Sequence, residues 1–325
     1  QFVHREELAR RRIYHCFNPQ GVGIIAASLL AFGTDEQKQH WAVPILRGEL
    51  TASLGMSEPG AGSDLAGLST RAARDGDEFV VNGQKVWTSG AHDADVLLTF
   101  VRTDPDASRH KGISALLIPT RTPGVERRPF ASVHDPRNFD FNEVFFTDVR
   151  VPADMLVGEE NGGWKLITTQ LNHERVALCS AAPIQTALRE TIAWAQQTKT
   201  GDGHRVIDAP WVQQNLARVH AKVEFLKLIN WKIASVASSG GSPSPADASA
   251  TKVYGTEFAT EAYRLLMEVV GPAATLRTGS TGAHLNGRLE RFQRTSLILT
   301  FGGGTNEIQR DIIAMLALGL PHQRR

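Results

Sequence analysis

From Ala52 to about Pro152 the apolar residues change their period, and that change constrains the fold more than any other feature of the chain. Runs such as Phe79-Val80-Val81, Val96-Leu97-Leu98-Thr99-Phe100-Val101 and Ile113-Ser114-Ala115-Leu116-Leu117-Ile118 are short and bounded by Asp75-Gly76, Asn82-Gly83 and Asp104-Pro105. They predict a compact β domain of hairpins, with Asn82-Gly83 as one of its turn signals. On either side the pattern is helical. Residues 11–48 carry an apolar stretch from Gly21 to Ala27 and a capping-box pattern in which Thr34 is matched with Gln37. Downstream, Trp164 to Gln197, Pro210 to Ser238, Asp247 to Val270 and Asn306 to Leu318 read as long helices, with Ser238 to Pro245 a flexible connector between two of them. The order helical, β, helical predicts an α+β chain: a partial N-terminal helical domain over 1–51, a central β domain over 52–152 and a C-terminal helical domain over 153–325.

Composition narrows the function classes. A chain of 325 residues, 42% hydrophobic and 21% charged, can bury a substantial core. Its net charge of +1 offers no field for nucleic acid or an anionic membrane. No apolar run approaches the ~18 residues of a membrane span, and the opening Gln1-Phe2-Val3-His4-Arg5-Glu6 is not a signal peptide, so a cytoplasmic protein is expected. The two cysteines, Cys16 and Cys179, have no metal-type spacing and make no disulfide scaffold.

Two stretches carry chemistry. Ser57-Glu58-Pro59-Gly60-Ala61-Gly62-Ser63-Asp64 is too rich in glycine and small polar residues for a helix or strand interior, and reads as a binding loop or a surface turn. Gly60 and Gly62 are expected to take conformations closed to other residues and to let a ligand come near. The second stretch is Asn82-Gly83-Gln84-Lys85-Val86-Trp87-Thr88-Ser89-Gly90. Together they resemble the acyl-CoA dehydrogenase family, flavoproteins that oxidise acyl thioesters between Cα and Cβ, and the resemblance covers nearly the whole chain. It implies a central β barrel between two helical domains, with FAD lodged between the barrel and the C-terminal helices. Family members usually have a longer N-terminal helical domain, so this chain is expected to start inside it.

An isoalloxazine ring needs a flat apolar wall and a few directed hydrogen bonds, which an indole beside a hydroxyl supplies. The resemblance assigns Trp87, Ser89, Ser57 and the backbone at Met56 to the flavin, with Thr305 and Glu307 as further cofactor contacts. Ser63 matches a serine that meets flavin phosphate or the thioester ligand, and Arg175, in Asn172-His173-Glu174-Arg175, an arginine close to the acyl-CoA.

The reaction needs a carboxylate to take the α-proton. Most of the family carry it in a Tyr-Glu-Gly-Thr loop, where this chain reads Phe301-Gly302-Gly303-Gly304-Thr305 and Gly303 stands in the base position. A minority, including the isovaleryl-CoA and long-chain enzymes, carry it earlier in a Tyr-x-x-Glu-x-Ala-Thr context. Here Tyr254-Gly255-Thr256-Glu257-Phe258-Ala259-Thr260 makes Glu257 the expected base. Its helix face, shared with Val253, Tyr254, Glu261 and Leu265, predicts partial desolvation. The glycines predict room for a branched or bulky acyl group, while the Gly303 N–H is expected to help polarise the thioester carbonyl.

Family homotetramers complete each flavin site with a neighbour's Arg-x-x-Phe-Gly and Gln-x-x-Gly-Gly motifs. Here they become Thr198-Lys199-Thr200-Gly201-Asp202 and Glu268-Val269-Val270-Gly271-Pro272. The combination resembles the catalytic subunits of actinobacterial heteromeric steroid side-chain acyl-CoA dehydrogenases. That implies an α2β2 heterotetramer with a paralogous subunit, a steroid side-chain CoA thioester as substrate and an electron-transfer flavoprotein as acceptor. The alternatives are an acyl-CoA oxidase and a scaffolding subunit; the retained Glu257, Trp87 and Ser89 count against the latter.

Overall fold

The computed structural model describes residues 6–8, 10–11, 13, 18–133, 140–177, 179–241 and 244–321, leaving aside the side chains of 172–177 and 237. The chain divides into two compact units, Cys16–His173 and a second made of Gln1–His15 with Glu174–Arg325.

The first unit opens with short helical pieces, α1 (Ala26–Phe32), α2 (Asp35–Gln37) and α3 (Val43–Arg47), interleaved with π-helical turns at Gly21–Ile25 and Lys38–Ala42. The Thr34/Gln37 capping box forms: Gln37 N donates to Thr34 Oγ1 and Thr34 N to Gln37 Oε1, each at 3.2 Å. Seven strands follow, β1 (Ala52–Gly55), β2 (Arg71–Asp75), β3 (Glu78–Lys85), β4 (Val96–Arg102), β5 (Ile113–Pro119), β6 (Val125–Phe130) and β7 (Phe141–Pro152). They make one sheet of order β1-β4-β2-β3-β7-β6, with β5 on β4, curled into a half-barrel. Strand pairs β2–β3, β4–β5 and β6–β7 are antiparallel, as hairpins require, but β1 and β2 join β4 in parallel.

Strands β4 and β5 are continuous apolar runs because both of their faces are buried. Val96, Leu98, Phe100, Ile113, Ala115 and Leu117 pack with Ile25, Leu29, Trp41 and Ile45 of the helical pieces. Their alternate neighbours Leu97, Val101, Leu116 and Ile118 join Phe79, Val81, Val144 and Val149 inside the curl.

Asn82-Gly83 is not a turn. It lies within β3, which pairs with β7 on both sides of a bulge between Val81 and Gly83. Asn82 spends its side chain on Asp148, donating from Nδ2 at 3.0 Å and accepting the Asp148 N–H at 2.9 Å. Gly83 has φ +150°, and a Cβ there would stand 2.7 Å from the Thr70 Cα. Pairing across the sheet overrides a local turn preference.

In the chain's second half the stretch expected as one helix from Trp164 to Gln197 is two, α4 (Gly163–Ala177) and α5 (Ala182–Gln197), the latter with proline in its first turn. Four more helices follow among the described residues: α6 (Pro210–Ser238), α7 (Pro245–Val270), α8 (Arg288–Ser296) and α9 (Asn306–Leu316). Ser242 and Pro243 of the expected connector lie outside the described residues. The helical core is built from Ile184, Leu188, Val219, Val223, Phe258 and Leu266 among others. Gly255 lets α7 approach Cys179, whose Cβ would otherwise be 2.7 Å from an added methyl. Burial pushes that thiol up to about 12, which makes it unreactive. No helix of the described residues is long and apolar enough to cross a membrane.

Candidate active site

The Ser57–Asp64 stretch is a tight turn. Glu58 N donates to Ala61 O at 3.0 Å and Ala61 N to Glu58 O at 3.1 Å. Neither Gly60 nor Gly62 has a positive φ, so the conformations expected of them are not used; what they leave is open space, with nothing within 4 Å of either Cβ position. Ser63 is exposed beside the turn, and Asp64 pairs with Arg109.

The glutamate of the turn faces inward, which the sequence reading missed. Lys85 Nζ donates to Glu58 Oε1 at 2.8 Å and to Met56 O at 3.2 Å, and the two side chains are 0% and 4% exposed. Ser69 N, Ser69 Oγ and Thr70 N complete the carboxylate's partners at 2.6, 2.8 and 2.8 Å. Burial alone would raise the Glu58 pKa; the Lys85 cation and these donors outweigh it and hold the group at about 2. Burial draws the Lys85 ammonium down to about 8 against the pull of Glu58, so the pair is ionised at neutral pH. Val86 N adds a bond to Ser57 O at 2.9 Å. Met56 and Ser57 are thus fixed beside the segment that leads into Trp87.

Because the folded carboxyl sits below its ordinary value of 4.5, its stabilisation is present above that pH and is lost as pH falls toward about 2. Lys85→Met should cost about 3–5 kcal/mol at neutral pH by stranding a buried carboxylate, and acid unfolding of the variant should lose much of its pH dependence between those values. Equal acid-unfolding slopes in the two proteins would show that Glu58 is not anchored by Lys85.

Trp87 carries the exposed flat surface. Its backbone is left-handed, φ +60°, and its side chain is 57% exposed while packing edge-to-face on Phe130 at 5.1 Å and Phe141 at 5.7 Å. A tryptophan in this region of φ/ψ costs strain, and such strain gathers at ligand sites. The next residues are held to the start of β7: Thr88 N donates to Asn142 O at 3.1 Å, Asn142 Nδ2 to Thr88 O at 3.0 Å, and Gly90 N to Asp140 O at 2.7 Å. Ser53 Oγ donates to the Ser89 carbonyl. Met56, Ser57, Trp87 and Ser89 are therefore tied into one rigid framework, and an exposed indole on a fixed aromatic base fits a planar ring such as a flavin's.

The helical unit gathers a second group. Glu257, on α7, accepts from Asn306 Nδ2 at 3.1 Å, and Arg310 Nη2 lies 2.8 Å from Oε1 and 2.9 Å from Oε2. The Glu257 side chain is 47% exposed, half covered rather than buried, and ion-paired, because its helix turns Thr256 and Phe258 inward and leaves Glu257 at the margin. The glycine loop runs directly into α9. Gly303 and Gly304 have φ +69° and +97°, and Thr305 caps the helix by accepting from Ile308 N at 3.3 Å. Glu307 is exposed in its first turn. The Arg175 side chain lies outside the described residues.

Of the altered neighbour motifs, Asp202 is fully exposed and held below the usual carboxylate range by Thr200 Oγ1 and the His204 N–H. Glu268 is paired with Arg264 and accepts from Asn215 Nδ2 at 3.2 Å, which offsets part of its negative charge. Arg264, Met267, Glu268, Gly271 and Pro272 border a surface cavity of about 350 Å³.

Residues 53–149 match the model of the acyl-CoA dehydrogenase middle domain and residues 161–318 that of the acyl-CoA dehydrogenase C-terminal domain. Acyl-CoA dehydrogenase FadE26 of Mycobacterium tuberculosis is 58% identical over 309 residues, 94% of this chain and 76% of that protein. The ChsE4-ChsE5 complex from Mycobacterium tuberculosis contains a chain of 56% identity and TM-score 0.90, matched over 99% of this chain and 82% of that one. A chain of the Tcur3481-Tcur3483 steroid ACAD has 41% identity and TM-score 0.91, over 99% and 81%. With its sheet and helical parts both matched, this chain belongs to the acyl-CoA dehydrogenase family.

Proposed function

We propose that this chain oxidises a bulky steroid side-chain CoA thioester to its trans-2-enoyl-CoA, as the catalytic subunit of an α2β2 assembly that passes electrons to an electron-transfer flavoprotein. The observation that carries the reading is Glu257, a half-exposed carboxylate next to a loop that holds glycine where most of the family hold their base. The likeness to the steroid ACAD and to the two-component ChsE4-ChsE5 complex supports the substrate class and the assembly. Exposed Phe225, Leu228 and Trp231 along α6 add an apolar surface suited to a protein partner.

FAD supplies the hydride acceptor when bound. Met56, Ser57, Ser63, Trp87 and Ser89 of the sheet unit would hold it, and Thr305 and Glu307 are the contacts proposed in the helical unit. Glu257 takes the α-proton, and Arg175 is the proposed partner of the acyl-CoA. Glu257 must first exchange its contact with Arg310 for the substrate, which an exposed ion pair permits at a cost of about 1 kcal/mol or less. Anaerobic mixing with a steroid side-chain CoA thioester should bleach the flavin and yield the enoyl thioester; an unchanged flavin spectrum with that substrate would remove the steroid assignment.

The glycine loop sets the acyl size that fits. Gly303→Glu should depress turnover of the steroid thioester about tenfold or more beyond its effect on octanoyl-CoA, because the side chain fills space beside the reacting carbons. The φ of +69° adds about 1–2 kcal/mol of strain that is common to both substrates, so the ratio of the two kcat/KM values is the readout. An unchanged ratio would argue against a role in acyl size.

A further inference from the structure

Lys252 is fully buried on α7, and its ammonium is directed at the end of the glycine loop. Nζ donates to Gly304 O and to Asn306 Oδ1, each at 2.8 Å. Asn306 is itself 3% exposed and passes the contact on, its Nδ2 reaching Glu257 Oε1 at 3.1 Å and Thr256 Oγ1 at 3.2 Å.

The chemistry of the lysine fixes the asparagine. An ammonium only donates, so the amide must turn its oxygen toward Lys252 and its NH2 toward Glu257. Flipping the amide would set donor against donor beside a buried charge, which is expensive. Glu257 has a long side chain and is 47% exposed, and its other partner, Arg310, is 52% exposed and therefore a loose tether. Asn306 is the rigid point of the group.

We propose that Asn306 is a positioning residue for the Glu257 base, locked in amide orientation by the buried Lys252, which anchors the glycine loop through the same ammonium. This rests on Glu257 being the base. One buried cation then sets both the place of the carboxylate and the backbone of the loop that borders the acyl group. Displacements of about 1 Å in such groups cost on the order of a hundredfold in rate.

Asn306→Asp separates positioning from packing, since it keeps the volume and an acceptor for Lys252 but removes the donor to Glu257. The flavin-loaded assembly should be measured at about pH 8, well above the ordinary carboxylate range, with octanoyl-CoA and its α-deuterated form. The expected result is flavin reduction about 10- to 100-fold slower, with a melting temperature within a few degrees of wild type, KM within about threefold and a larger α-deuterium isotope effect. Lys252→Met should speed amide hydrogen exchange over residues 302–306 in flavin-free protein, and unchanged exchange would remove Lys252 from the device. If Asn306→Asp reduces flavin at the wild-type rate, or loses rate only together with stability and KM, while Glu257→Gln is inactive, positioning is overturned and the base assignment stands. An active Glu257→Gln variant would instead overturn the base assignment.

Discussion

Glu257→Gln should bind flavin and acyl-CoA as the wild type does, yet reduce its flavin about 10²- to 10⁴-fold more slowly. The amide keeps the shape of the carboxylate and can still accept from Asn306 or Arg310, and the half-exposed site lets water serve whichever donor is left over. Loss of an exposed ion pair costs about 1 kcal/mol or less, so the protein should remain folded. What glutamine cannot do is take the α-proton, and no glutamate stands at Gly303 to replace it. Stopped-flow reduction with a long acyl-CoA reads the chemical step directly. A rate within a few-fold of wild type would exclude Glu257 as the base.

How far that site could be read in advance depended on distance along the chain. The strands over 79–81, 96–101 and 113–118 were legible because burial on both faces leaves unbroken apolar runs. Asn82-Gly83 misled because the dipeptide has a strong turn preference in isolation, while its partners Thr70, Phe146 and Asp148 are remote in sequence. The break between α4 and α5 left a local trace in Pro183, a residue suited to a first turn and overlooked within an apolar pattern. Motif resemblance is what proposes Trp87, Ser89 and Glu257, but it says nothing of their surroundings. Phe130 and Phe141 beneath Trp87, and Asn306 and Arg310 beside Glu257, come from residues dozens of positions away. Lys85 and Lys252 did leave a signal, since each interrupts a face of small or apolar residues, where a lysine must be paired to be tolerated.

Flavin retention by this chain alone should be weak and should rise sharply on co-expression with a paralogous subunit bearing the intact arginine and glutamine motifs. In a homotetramer the resemblance would bring Asp202 and Glu268 toward the neighbour's flavin pyrophosphate. A unit charge at ~4–6 Å and an effective dielectric of ~20 opposes an anion by a few kcal/mol before screening. The structure divides that opposition unequally. Glu268 is partly offset by Arg264, whereas Asp202 is exposed on its turn and, among the described residues, bonded to the uncharged donors of Thr200 and the His204 backbone. Asp202 is therefore the larger obstacle, and Pro272, which lacks an N–H, removes a donor beside Gly271. A partner's arginine at the corresponding place would exchange repulsion for charge-assisted hydrogen bonds. Asp202→Arg in this chain alone should then recover part of the retention, and Glu268→Gln less, because Arg264 already answers that charge. Only interfaces pairing this chain's Ser57, Trp87 and Ser89 with the partner's motifs would be complete, giving one flavin per heterodimer. Native mass spectrometry with flavin quantitation decides it: a stable homotetramer of this chain, carrying one FAD per subunit and active on acyl-CoA, would sink the heteromeric reading.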